Sequence, residues 1–139
     1  MRLFLASALL IVLSLMLTGC GNDGLLRTQG KLLKGGEPFI PDEVDDEALQ
    51  VTFVPILPDG KPPSSYYFAA VNQETGTFVP SGAMGKGMPP GKYRVAVELM
   101  RKKKDLLKGK FGLENSPFIF EVDANTSEIV IDLDEFAAK

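Results

Sequence analysis

The sequence predicts an all-β fold, a sandwich of seven short strands, and three observations carry that expectation. Beyond residue 26 the chain is dense in Gly and Pro, with short apolar runs set between them, the punctuation of strands and tight turns rather than of helices. Within those runs apolar and polar residues alternate with period two, the pattern of a strand with one face in a core. Seven such runs fall between residues 27 and 139, and that many short strands in one domain suit two facing sheets.

The first residues are of another kind. Arg2 gives a short positive start, and residues 3–17 carry no charge. That apolar run falls short of the ~20 residues a helix needs to cross the hydrocarbon core, and nothing like a stop-transfer segment follows it. A charged start, a short apolar centre and small residues before a cut site are the parts of an export signal. Cys20 is the only cysteine, so no disulfide can form within the chain. An ordinary secretory signal with a chance cysteine is the competing reading.

The closing residues Leu17, Thr18, Gly19 and Cys20 resemble the lipobox of bacterial lipoproteins. The resemblance implies that residues 1–19 are a signal peptide cut off before Cys20. It also implies that the Cys20 thiol carries a diacylglycerol and that the new amine is often acylated as well. Two or more acyl chains make anchoring durable where one is marginal. Residues 20–26 then form the lipidated cysteine and a short tether, and residues 27–139 the β-sandwich domain. The expected place is the cell envelope, lipid-anchored and facing the periplasm or the outside. Gly21, which is not Asp, leans by resemblance to known sorting patterns towards the outer membrane.

Taken in chain order, residues 27–33 read as the first strand, closed by a turn at Gly35 and Gly36. Leu49, Val51 and Phe53 share one face of the second strand, with Gln50 and Thr52 opposite. Pro58-Asp59-Gly60 and Pro62-Pro63 mark turns before a third strand over residues 66–71, and a fourth covers residues 76–79. Pro89-Pro90-Gly91 feeds the clearest strand, in which Tyr93, Val95, Val97 and Leu99 share a face. Phe118, Phe120 and Val122 alternate with Ile119 and Glu121; Ile129, Ile131 and Leu133 alternate with Val130 and Asp132. The polar residues 123–128 join that last pair as a hairpin, and Asn125-Thr126-Ser127, a glycosylation sequon in form, reads there as turn chemistry. Residues 101–113 are long for a β-loop, functional or mobile in character, and residues 105–108 have the composition to form one helical turn.

The order of these pieces is similar to small bacterial lipoproteins that carry a carboxypeptidase-regulatory-like, transthyretin-like domain. Gln29-Gly30-Lys31 through Gly35-Gly36-Glu37-Pro38 looks like the family's opening strand and Gly-rich turn. Val51-Thr52-Phe53-Val54-Pro55 looks like its second strand, and Thr75-Gly76-Thr77-Phe78 sits where the family has Asp-x-x-Gly-x-Phe. Met88-Pro89-Pro90-Gly91-Lys92-Tyr93 is similar to the Pro-Gly-x-Tyr turn that feeds a long strand, and Ser116-Pro117 fits the approach to the penultimate one. The resemblance implies a Greek-key-like arrangement and a structural, accessory or binding role. The sequence departs from the pattern at Gln73 and Thr75, where acidic residues are usual, and by an insertion over residues 41–47.

Composition narrows the chemistry. With Arg2 removed, 14 basic side chains face 18 acidic ones, the wrong balance for nucleic acid, which calls for a basic face. There is no histidine, which removes the commonest general base, the Ser-His and Cys-His arrangements and every His-containing metal site. The sequence therefore argues for a protein that is not an enzyme and holds neither cofactor nor metal. The acidic residues 42–47 lack the spacing and the Gly of a Ca²⁺ loop and read as a solvated loop. Residues 82–88 match neither phosphate-loop pattern; two Met there, without Cys or His, are thin support for a soft metal.

Two features remain as binding candidates. The basic run Arg101, Lys102, Lys103 and Lys104 suits lipid phosphates, an anionic glycan or simply a solvated face. In Tyr66-Tyr67-Phe68 neighbours point to opposite faces, so either Tyr67 or the Tyr66/Phe68 pair lies outside, as a stacking platform or as core. The expected function is a membrane-anchored interaction module that engages another envelope protein. Its contacts are expected at the acidic insertion and the 101–113 loop, with sugar or small-ligand binding through Tyr67 and the basic run as the alternative.

Overall fold

The computed structural model describes residues 23–41 and 49–135. The expectations placed on Leu17, Thr18, Gly19 and Cys20, and on the acidic residues 42–47, lie outside the described residues. The described chain is all-β, apart from a single 3-10 turn at Ala83–Gly85. Its strands are β1 (Gln29–Lys34), β2 (Glu37–Pro38), β3 (Leu49–Pro55), β4 (Tyr67–Ala70), β5 (Thr77–Phe78), β6 (Gly91–Arg101), β7 (Lys104–Asp105), β8 (Ile119–Val122) and β9 (Glu128–Asp132). All seven expected segments contain strand; β2 and β7, two residues each, are additions that alternation cannot reveal.

The strands form two sheets. In the first, β1 is central: β9 runs parallel along one edge, and β2 and β5 pair antiparallel along the other. In the second, β6 is central, with β3 and then β4 on one side and β7 and β8 on the other. Period-two alternation turns one face of each sheet inward. Leu32, Phe78, Ile129 and Ile131 from the first sheet meet Val51, Phe53, Val95 and Val97 from the second in one core. Phe53 spans the interface, its ring 6.1 Å from Phe78 and 6.1 Å from Tyr93. Gly30 makes that approach possible, because a Cβ there would collide with the Phe78 ring.

Residues 106–118 depart from both sequence expectations: they form neither a detached loop nor a helical turn. Lys108 and Gly109 lie in the left-handed region, at φ of 55° and 71°, which breaks any helix begun at Asp105. The segment runs along the open edge of β6 and supplies partners that a regular strand would otherwise supply. Val95 N–H donates to the Phe118 carbonyl at 2.9 Å, and Val97 N–H to the Phe111 carbonyl at 2.9 Å. Leu99 N–H donates to the Asp105 carboxylate at 3.1 Å, which also accepts from Leu107 and Gly109 N–H. An edge covered in this way offers no ladder to a foreign strand.

Three turns rest on side-chain oxygens. Asp132 accepts from Gly35 and Gly36 N–H at 2.9 and 2.7 Å and from Asp134 N–H; these bonds, Asp134's first, hold its carboxyl below the usual range. At 123–128 the Asp123 carboxylate accepts from Asn125 N–H and the Thr126 hydroxyl bonds Asp123 N–H, so the sequon residues sit in a hairpin turn. Near the family departures at Gln73 and Thr75, the Asn72 side chain does the capping, accepting from Glu74 and Thr75 N–H.

Candidate functional site

The long strand β6 has a different surface at each end. Its first end receives the N-terminal segment: Leu26 and Met88 exchange backbone hydrogen bonds of 2.8 and 3.0 Å. Gly87 must lack a side chain there, because a Cβ would strike the Leu26 carbonyl. Five residues after Met88, the Tyr93 hydroxyl donates to the Pro89 carbonyl at 2.5 Å. Burial, and then the neighbouring Tyr67, push the Tyr93 pKa up to about 12. Beside this corner lies a cleft of about 440 Å³, lined by Ile56, Leu57, Tyr67, Pro89, Pro90 and Tyr93 among others. That volume is within the range of small-ligand sites.

Tyr67 is half-buried, its ring edge-on to Tyr93 at 5.9 Å. Of the two faces left open by the sequence, Tyr66 and Phe68 take the outer one, 43% and 55% exposed. The register explains the choice: Tyr67 pairs with Phe53, whose neighbours on that face form the core. Tyr67 therefore contributes to the rim of the cleft and to the neighbouring hollow beside Gly82 and Lys86.

The other end of β6 carries the basic run. Arg101 pairs with Lys104 across a two-residue turn, and Lys102 and Lys103 both have positive φ, 47° and 66°. This is the primed hairpin geometry that usually selects Asn-Gly. Lysine there costs about 1–2 kcal/mol per residue, because Cβ crowds the following carbonyl. All four basic side chains are exposed. Among the described residues the ion pairs are Lys31–Glu128 and Lys61–Asp59, so none of the four has a carboxylate partner there.

Tyr67 and the basic run do not form one site. Through Phe53, Tyr67 lies level with Val95, and six residues of strand, about 20 Å at the usual rise, separate Val95 from Arg101. Sequence reasoning missed the cleft, because its walls come from two Pro-rich connections that read only as turns. It also missed the tight hairpin, because Lys-Lys carries no turn signal.

Among the described residues no group of three or more His, Cys, Asp or Glu could hold a metal, and no helix is long and apolar enough to cross a membrane. The carboxylates held below their usual range, Asp59, Asp123 and Asp132, owe this first to backbone N–H bonds within turns, which is a structural use. Comparisons with protein-family models, with curated proteins and with solved structures find no match.

Proposed function

We propose that the chain is a lipid-anchored, non-catalytic interaction module of the bacterial envelope, whose basic hairpin engages another envelope protein. On this reading its two sheets form a transthyretin-like, Greek-key sandwich, with β2 and β7 as additions to seven main strands. Cys20 carries the lipid and Gly21 favours the outer membrane. The observation that carries the reading is the placement of the two ends. The N-terminal segment joins the fold beside Met88, while the unpaired cations project from Arg101–Lys104. Along β6, Gly91 and Arg101 are ten residues apart, about 33 Å. A module tethered at one end displays the other, and strained, unpaired lysines suit a partner with an acidic surface.

The test is a crosslinked pull-down of the lipidated protein from its native membranes, read by mass spectrometry. One stoichiometric partner, lost when Lys102→Glu and Lys103→Glu reverse the tip, is the expected result. Equal capture by the reversed variant rejects the tip as the contact. Cys20→Ala serves as the anchoring control and should abolish acyl labelling and leave unprocessed precursor.

The cleft supports a second reading, a binding protein for a sugar or another small ligand. Saturable binding lost in Tyr67→Ala would favour it, and a flat glycan screen would remove it.

A further inference from the structure

We infer that the tethered end of the domain is itself a membrane-contacting surface, seated on the headgroups of the bilayer that holds the lipid. The inference rests on the anchoring reading of Cys20 and adds to it a second, protein-borne contact. Three observations meet at this end. The first is a group of exposed apolar side chains that share neighbouring hollows at this end. Ile56, Leu57 and Tyr66 are 37%, 38% and 43% exposed, and Met84 is 88% exposed. Met84 also holds φ at 60°, a left-handed position that presents a large apolar side chain on a short turn.

These side chains form one surface. Ile56, Leu57 and Tyr66 line a common hollow, and Tyr66 and Met84 line the next one together with Leu25. Leu25 is the second observation. It stands five residues after Cys20, and five residues of fully extended chain reach at most about 18 Å. A lipid on Cys20 therefore keeps this end close to the bilayer in any orientation the tether allows.

The third is charge and side-chain type. Lys86 and Lys92 are exposed beside the apolar group, and neither has an ion-pair partner among the described residues. Of the acidic neighbours, Asp59 pairs with Lys61 at 3.1 Å and Asp23 accepts from Leu25 N–H, while Glu121 stands opposite Lys92 across the strands without a salt bridge to it. Apolar tips, a tyrosine with its polar hydroxyl, and flanking lysines are the mixture that settles at a bilayer interface. The lysines favour anionic phospholipid headgroups. The basic hairpin at the far end of β6 has exposed apolar neighbours too, Met100 at 39% and Leu106 at 46%, but it lies a strand's length from Leu25 and the lipid.

The experiment uses the full lipidated protein in vesicles of phosphatidylethanolamine and phosphatidylglycerol. Leu57→Cys, Met84→Cys and Lys103→Cys variants each carry an environment-sensitive fluorophore, and nitroxide-labelled lipids act as quenchers. Intact mass reports the diacylglycerol on Cys20 independently. The expected result is blue-shifted emission and several-fold stronger quenching at 57 and 84 than at 103. Equal, weak quenching at all three positions in protein of lipidated mass overturns the proposal and leaves the anchor standing. Stronger quenching at 103 overturns it in favour of a tip-down orientation. A mass without lipid overturns the anchor reading and this proposal with it.

Discussion

The two ends of β6 meet their backbone demands differently. At the end that receives the N-terminal segment, Met84 holds left-handed backbone at φ 60°, but the positions around Tyr93 hold suitable residues. Gly87 leaves room for the Leu26 carbonyl, and the Pro89 carbonyl accepts the Tyr93 hydroxyl. The rings of Phe78, Phe53, Tyr93 and Tyr67 then pass from the core to the rim in successive contacts near 6 Å. At the far end two lysines occupy left-handed backbone that glycine or asparagine would occupy at little cost. Four like charges stand together there without a carboxylate partner among the described residues. Both ends carry a non-glycine in left-handed backbone, but only the far one combines that strain with a cluster of like charges at its tip.

The sharpest way to break this comparison is to remove the ring that ties the sheets together. Phe53→Ala deletes a fully buried side chain in contact with both Phe78 and Tyr93, and should lower unfolding free energy by about 3–5 kcal/mol in urea denaturation. Hydrogen exchange on the same variant asks whether the ends are separate. Loss of protection at both ends together is expected if β6 makes them one cooperative unit. Loosening confined to the tethered end would show two units instead.

The second prediction acts on the tip alone. Lys102→Asn with Lys103→Gly supplies the residues that the turn geometry prefers, so the double variant should gain about 2 kcal/mol, two relieved positions less the entropy glycine costs, read as a raised urea midpoint. It should also capture less partner in the pull-down, since half of the tip's charge is gone. A variant that is no more stable would mean that the lysines are not strained, and the contrast between the ends would lose its energetic half.

How much of this was legible in the sequence follows the same division. Alternation located β3, β6, β8 and β9 with their inward faces, because a period of two needs only local chemistry. Tyr93 showed its corner, since Pro-Gly-x-Tyr places the ring and hydroxyl within a few residues of each other. The edge of β6 was illegible: Val97 bonds to Phe111 and Leu99 to a carboxylate, and no periodicity announces partners supplied by irregular chain. The helical turn considered at 105–108 failed at Lys108, whose positive φ is set by the bonds Asp105 makes. Parity separated Tyr67 from Tyr66 and Phe68, but the inward residue was chosen by the register with Phe53, a contact across strands. The cleft needed two distant Pro-rich loops to meet.

The smallest effect sharpens the account of the tethered end. Tyr93→Phe keeps the ring and removes the bond to the Pro89 carbonyl, which should cost about 1 kcal/mol near neutral pH. Its pH dependence is the finer test. Below pH 10, the ordinary tyrosine value, folded and unfolded states both keep the proton, and the hydroxyl adds no slope. Above it the unfolded chain releases the proton first, while the folded protein holds it until about 12. The unfolded state then binds fewer protons, and stability falls as pH rises. Urea midpoints measured at about pH 8 and about pH 11 should therefore drop further in the wild type than in Tyr93→Phe. Every other ionisable residue is common to both proteins, so the difference between the two losses reports on position 93. Parallel losses would mean that Tyr93 ionises as freely in the folded state as in the unfolded one, and that water reaches the corner on which the tethered end is built.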